Sequence, residues 1–204
     1  MTIARTPYAD LPRAVVDELS AAGLDAEDVY RMVVRAFDED LPSGGRDVTS
    51  SAMPPMGSGM GEIRAREPGV VAGLGVAELV FRYAMGLEVE VTSRLADGSA
   101  VVAGDVAMTV SGPVEDLLTA ERTALNFASH LSGVATATSH WVAALEGTRA
   151  RVLDTRKTLP TYRALQKYAV RCGGGTNHRF SLSDMAMVKD NHVVAAGGVV
   201  PAYE

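Results

Sequence analysis

Apolar residues recur at helical spacing near the start of the chain. In "AEDVYRMVVRAF", Val29, Met32, Val33 and Phe37 share one face, and Asp25 stands where an N-cap belongs. Residues 8–38 therefore predict two helices, and the Gly-, Pro- and Ser-rich stretch 39–61 predicts a long loop. "EIRAREPGVVAG" reads as strand, Pro-Gly turn and strand, and "GVAELVFRYAMG" as a short helix between glycines. From Leu87 the period changes to two: Leu87, Val89 and Val91 alternate with Glu88, Glu90 and Thr92. Asp97-Gly98 marks a turn, and Val106, Met108 and Val110 alternate again. Residues 62–112 thus predict a mostly antiparallel sheet. Its rhythm is like that of biotinyl and lipoyl carrier modules, but residues 87–112 contain no lysine to carry a prosthetic group.

Pro113 suits the first position of a helix that reaches a stop at Gly133, and a second helix follows over "VATATSHWVAALEG". Beyond residue 150 the order becomes strand ("RVLDT"), helix ("PTYRALQKYAVRC"), Gly-rich loop, then strand ("MAMVKDNH"). Strand, helix, strand implies parallel pairing through a right-handed crossover.

Composition narrows the classes. The chain has 204 residues, 47% of them hydrophobic, enough for one large domain or two small ones. A net charge of −6 argues against a nucleic-acid-binding surface. A single cysteine, Cys172, excludes an internal disulfide, and no apolar run is long enough to span a bilayer, so a cytoplasmic protein is expected.

Against that acidic background, residues 151–179 hold Arg151, Arg156, Lys157, Arg163, Lys167, Arg171 and Arg179 beside one acid, Asp154. Arg163 and Lys167, four apart, read as a solvated helix face. Arg156-Lys157 read differently, because they follow the carboxyl end of a strand, where parallel α/β architectures bind ligands. Arginine offers a planar fork to carboxylate or phosphate, and lysine a compact charge to phosphate. Asp154 and the hydroxyls of Thr155 and Thr158 are placed to hold both cations. The glycines of "CGGGTNHR" let a backbone approach a ligand closely or simply end the helix before them, and His178-Arg179 follow at once. Lys189 stands at the end of the next expected strand. The pattern asks for a ligand with several negative charges. One cysteine and four scattered histidines (130, 140, 178 and 192) do not make a zinc site.

"AERTALNFASHLSGVATAT", "LDTRKTLPTYRALQKYAVRCGGGTNHR" and "MVKDNHV" closely resemble the quinolinate phosphoribosyltransferases, also called carboxylating nicotinate-nucleotide pyrophosphorylases. "EDLPSGGRDVTSSAM", "REPGVVAGLGVAELVF" and "GPVEDLLTAERTALN" follow the amino-terminal part of that family in the same order. The resemblance implies an α+β open-faced sandwich followed by an α/β barrel, here residues 1–133 and a partial barrel at 134–204. It implies transfer of phosphoribosyl from phosphoribosyl pyrophosphate to quinolinate, with release of CO2 and pyrophosphate, for NAD biosynthesis. Magnesium is the implied cofactor and a head-to-tail homodimer the implied assembly. Carried onto this chain, Arg156, His178, Arg179 and Lys189 surround quinolinate, and Thr155 lines the site. Lys157, with Lys189, meets the phosphates, and these two lysines are the expected catalytic cations. Arg122 reaches in from the partner subunit. The family pattern continues with about four further strands and their acidic residues, so the 204 residues are expected to be a fragment, a truncated product, or a chain completed by another. A paralogue acting on another heteroaromatic acid and a non-catalytic remnant that only dimerises are the alternative readings.

Overall fold

The computed structural model describes residues 3–204. Two amphipathic helices come first, α1 (Arg13–Ala21) and α2 (Ala26–Asp40). The side chain of Asp25 accepts the N–H of Asp28 at 3.0 Å, which fixes the start of α2, and the expected stripe of Val29, Met32, Val33 and Phe37 is buried. Stretch 39–61 is more ordered than its composition suggests. Asp47 caps a short helix, α3 (Val48–Ala52), and strand β1 (Ser58–Arg64) already begins within it.

β1 pairs antiparallel with β5 (Val106–Pro113), and β5 pairs antiparallel with β3 (Glu90–Arg94). A second small sheet joins β2 (Gly69–Val70) to β4 (Ala100–Val101). Residues 58–113 therefore form the expected antiparallel layer, with one local difference. Val89 is buried, but Leu87 lies exposed in a 3-10 turn before β3 rather than in the strand.

Helix α4 (Leu74–Met85) is buried on nearly every side: all its residues except Arg82 are buried. Glu78 is the buried charge on it. Arg82 at 3.2 Å and Arg94 at 3.2 Å neutralise it, and Arg94 also reaches Glu18 on α1. The turn at Asp97-Gly98 does two things at once: the Asp97 carboxylate accepts the N–H groups of Gly73 and Leu74, both at 2.9 Å, and so starts α4.

The two helices expected on either side of Gly133 are one, α5 (Val114–Ala144), so the boundary expected at residue 133 lies inside a helix. Gly133 is not among the glycines with positive φ, and a glycine stops a helix by adopting that conformation. Packing outweighs its poor propensity, because Leu131 and Ala135 are fully buried on either side. Pro113 precedes the helix and closes β5. Hydroxyls of α5 complete the small sheet: Thr136 accepts the Val70 N–H at 2.9 Å and Ser132 the Ala72 N–H at 3.0 Å. Helix α6 (Arg163–Cys172) packs on α5, with Leu165 and Ala169 buried.

The final expected strand does not form. Residues 151–155 make a single parallel bridge, Leu153 to Thr176, and 185–189 pair with nothing. A strand of a parallel sheet is normally covered on both faces, and here Leu153, Met185 and Met187 remain exposed. The chain then turns into a short helix, α7 (Asp190–Ala196), directly after Lys189.

Candidate active site

The cation-rich segments meet around a buried ion pair. Asp154 ends the 151–155 segment, and its side chain is 5% exposed; Lys167, inside α6, is 1% exposed and pairs with it. The Asp154 Oδ1 that takes the ammonium also accepts the His178 backbone N–H at 2.8 Å, while Oδ2 accepts the Asn177 amide at 2.6 Å. Lys167 Nζ donates in addition to the His178 carbonyl at 2.9 Å and lies 4.8 Å from the centre of the Phe180 ring. Every polar group of the pair has a partner, which a buried charge requires.

This corrects two expectations. Lys167 is not on a solvated face, because α6 turns that face toward the strand end. Asp154 does not hold Arg156 and Lys157, because its lone pairs are taken by Lys167, Asn177 and His178. The hydroxyls also serve others: Thr155 accepts the Lys157 backbone N–H at 3.0 Å, and Thr158 accepts Arg163 Nε at 3.2 Å. Arg163 further donates to the Phe180 carbonyl at 2.8 Å, so it ties α6 to the loop rather than facing water.

The three glycines serve packing. A side chain on Gly173 would meet Thr138 Cβ at 2.7 Å, and one on Gly175 would meet Thr138 Cγ2 at 2.9 Å, both on α5. Gly174 has φ +85, in the left-handed region that favours glycine. Their close approach is to a helix, and its effect is to deliver residues 176–179 to the strand end.

The expected ligand residues are then distributed as follows. Arg156 is half-buried, and among the described residues its Nε is the buried side-chain nitrogen with no acceptor. Lys157 and Thr155 beside it are exposed. His178 is half-buried, with its backbone N–H and carbonyl both fixed by the ion pair. Arg179 is half-buried and donates to the Met185 carbonyl at 2.6 Å. Lys189 is exposed and forms the N-cap of α7 rather than the end of a strand; its backbone N–H donates to His192 Nδ1 at 3.0 Å. Arg122 is exposed on α5, two helical turns before His130, which meets Gln166 of α6 at 2.9 Å. His178, and Arg179 next to it, are thus held by one buried pair, Arg156 follows two residues after Asp154, and Arg122 lies on a different element, α5. Sequence reasoning missed Lys167 and Asn177; a lone acid among seven cations signals that Asp154 has a partner, but not which cation it is.

Two family descriptions match adjacent parts of the chain: the quinolinate phosphoribosyl transferase N-terminal domain over residues 47–132 and its C-terminal domain over residues 134–204. The chain belongs to this family. It is 51% identical over 170 residues to the carboxylating nicotinate-nucleotide pyrophosphorylase of Mycobacterium leprae, covering 82% of this chain and 60% of that protein. A probable enzyme of the same name from Bacillus subtilis is 41% identical over 168 residues, covering 81% and 56%. Among solved structures, NadC from Streptococcus pyogenes superposes with a TM-score of 0.79 at 40% identity, covering 95% of this chain and 64% of that one. The fold class is therefore that of the family, a sandwich followed by the first part of an α/β barrel. The chain spans about 56–64% of the length of these relatives. No described helix is long and apolar enough to cross a membrane.

The residues present do not fit a protein-held magnesium ion. Among the described residues no three His, Cys, Asp or Glu side chains gather, and Asp154 is fully engaged. A metal ion accompanying a diphosphate would be held through the diphosphate's own oxygens.

Proposed function

We propose that this chain carries the anion-binding half of a phosphoribosyl-transfer site, in which quinolinate and phosphoribosyl pyrophosphate give nicotinate mononucleotide, CO2 and pyrophosphate for NAD biosynthesis. The observation that carries the reading is Arg156: a half-buried guanidinium whose Nε lacks an acceptor, beside Lys157 and the fixed His178-Arg179 pair. A buried donor without a partner is costly, so the half-buried guanidinium gains by turning to meet an acceptor, which a ligand carboxylate would supply. The relatives' names point to the same chemistry.

In this reading Arg156, His178 and Arg179 grip the two carboxylates of quinolinate, Thr155 lines the site, and Lys157 with Lys189 meets the phosphates. The ring nitrogen attacks the anomeric carbon as the bond to pyrophosphate breaks, and the departing electron pair is stabilised by the lysines. The carboxylate next to the quaternised nitrogen then leaves as CO2. Its bonding pair stays at the ring carbon, stabilised by the adjacent positive nitrogen, until a proton arrives. No covalent nucleophile is needed. Magnesium would be held by the diphosphate's own oxygens and would offset their charge, the working unit is a homodimer to which Arg122 of one subunit contributes at the other's site, and the compartment is the cytoplasm.

Calorimetric titration with quinolinate, with benzoate as a single-carboxylate control, tests the reading. Saturable binding of quinolinate and none of benzoate is expected. Equal binding of both, or of neither, would contradict a dicarboxylate site.

A further inference from the structure

We propose that Asp154, Lys167 and Asn177 form a positioning device that sets residues 177–179, and with them the side chains of His178 and Arg179, against the strand end. The inference deepens the reading above and rests on it for its consequence in binding.

The geometry is unusually complete for so short a loop. Thr176 is held on both sides, its N–H donating to Val152 at 2.8 Å and its carbonyl accepting from Asp154 at 3.2 Å. Asn177 donates to Asp154 at 2.6 Å and to the Lys167 carbonyl at 2.8 Å, and accepts Arg171 at 2.7 Å. His178 has its N–H on Asp154 and its carbonyl on Lys167. The Phe180 carbonyl accepts Arg163, and its ring covers the Lys167 ammonium. Arg179 is thereby suspended between residues that cannot move independently. Most of the hydrogen-bonding capacity of Asp154, Lys167 and Asn177 is thus spent within the protein rather than on a ligand.

An ion pair is a demanding way to achieve this. Apolar residues of similar volume would fill the space at no desolvation cost, but they would leave the N–H and carbonyl of His178 without partners. What the pair does that apolar packing cannot is fix one backbone orientation at the site, as fully satisfied buried polar networks do. It acts on ligands through His178 and Arg179, so Asp154 and Lys167 are positioning residues.

The test uses this chain, amide hydrogen exchange and quinolinate titration. Lys167→Met alone leaves Asp154 buried and unpaired and can fail to fold, so the informative variant is the double Asp154→Asn/Lys167→Met, which removes both charges at nearly constant volume. Val33→Ala, buried on α2, a helix with no hydrogen bond to residues 154–180 among the described residues, supplies a destabilised control. The double variant should exchange its His178 and Arg179 amides at least about tenfold faster relative to those of α5, whereas Val33→Ala should change all by a common factor. Quinolinate affinity should fall at least about tenfold in the double variant and hold in Val33→Ala. Uniform exchange in the double variant, or unchanged affinity in it, would overturn the proposal. Should the unmodified chain bind no quinolinate, the proposed function fails, and the exchange measurement alone decides the positioning.

Discussion

Asp47 accepts the Ser50 hydroxyl at 2.6 Å and the backbone N–H groups of Ser50 and Thr49 at 3.2 and 2.9 Å. These bonds, the hydroxyl most of all, hold its carboxyl below the usual carboxylate range. A depressed folded value means that the cap's contribution is complete above the unfolded value near 4 and is lost as pH falls through the lower folded one. Asp47→Ala should therefore lower stability by about 0.5–2 kcal/mol at pH 7, as loss of an N-cap does, and the difference from the unmodified chain should shrink below about pH 4. Denaturant unfolding at pH 7 and pH 3 checks it; a gap that stays constant would show that the charge contributes nothing. Residue chemistry of this kind was partly legible. Asp25 as a cap and Arg156 as an unusual cation could both be read from local pattern. Lys167 could not, because its burial depends on Asp154 and Phe180, thirteen residues to either side, and no local period reports such a meeting.

Helix α5 is where local reading failed and packing decided. Its 31 residues hold α4, β2 and α6, and its Ser132, Thr136 and Thr138 meet the glycine-rich turns on either side. A glycine in sequence looks like a stop, but the decision belongs to φ and to the buried neighbours. Nothing lies within 4 Å of a side chain placed on Gly133, so the position is free to take one. Gly133→Ala should stabilise the protein by about 0.5–1 kcal/mol, the usual difference inside a helix. A thermal melt showing a lower midpoint would mean that Gly133 is needed for a contact in the assembly. The antiparallel layer, by contrast, was legible because alternation and turn residues are local. The last expected strand was not realised, since strand formation at 185–189 needs pairing that these residues do not provide to each other.

At the scale of the whole molecule, the proposed reading has the site shared between two subunits. Arg122 lies exposed on α5, a different element from those that carry the cluster around Asp154, which suits a cation that serves a second subunit. In a full-length relative carrying these residues, mixing an Arg122→Ala subunit with a Lys157→Ala subunit should restore up to about a quarter of the activity. Random exchange makes half of the dimers mixed, each with one intact site. Demonstrated exchange without recovered activity would place Arg122 in its own subunit's site.

The central claim is that the carboxyl end of the 151–155 segment, and not the cation-rich region at large, binds a dicarboxylate. Arg151 and Arg156 bracket that segment: Arg151 borders a cleft of about 570 Å³ at its opposite end, and Arg156 carries the unpaired buried nitrogen. Quinolinate titration of the two alanine variants separates them. Arg156→Ala should weaken binding at least about thirtyfold, the lower end of the ~2–5 kcal/mol lost with one partner of a desolvated charge pair. Arg151→Ala should change it by less than about fivefold, as expected for an exposed charge. Equal losses for the two variants would contradict the assignment of the site to the strand end.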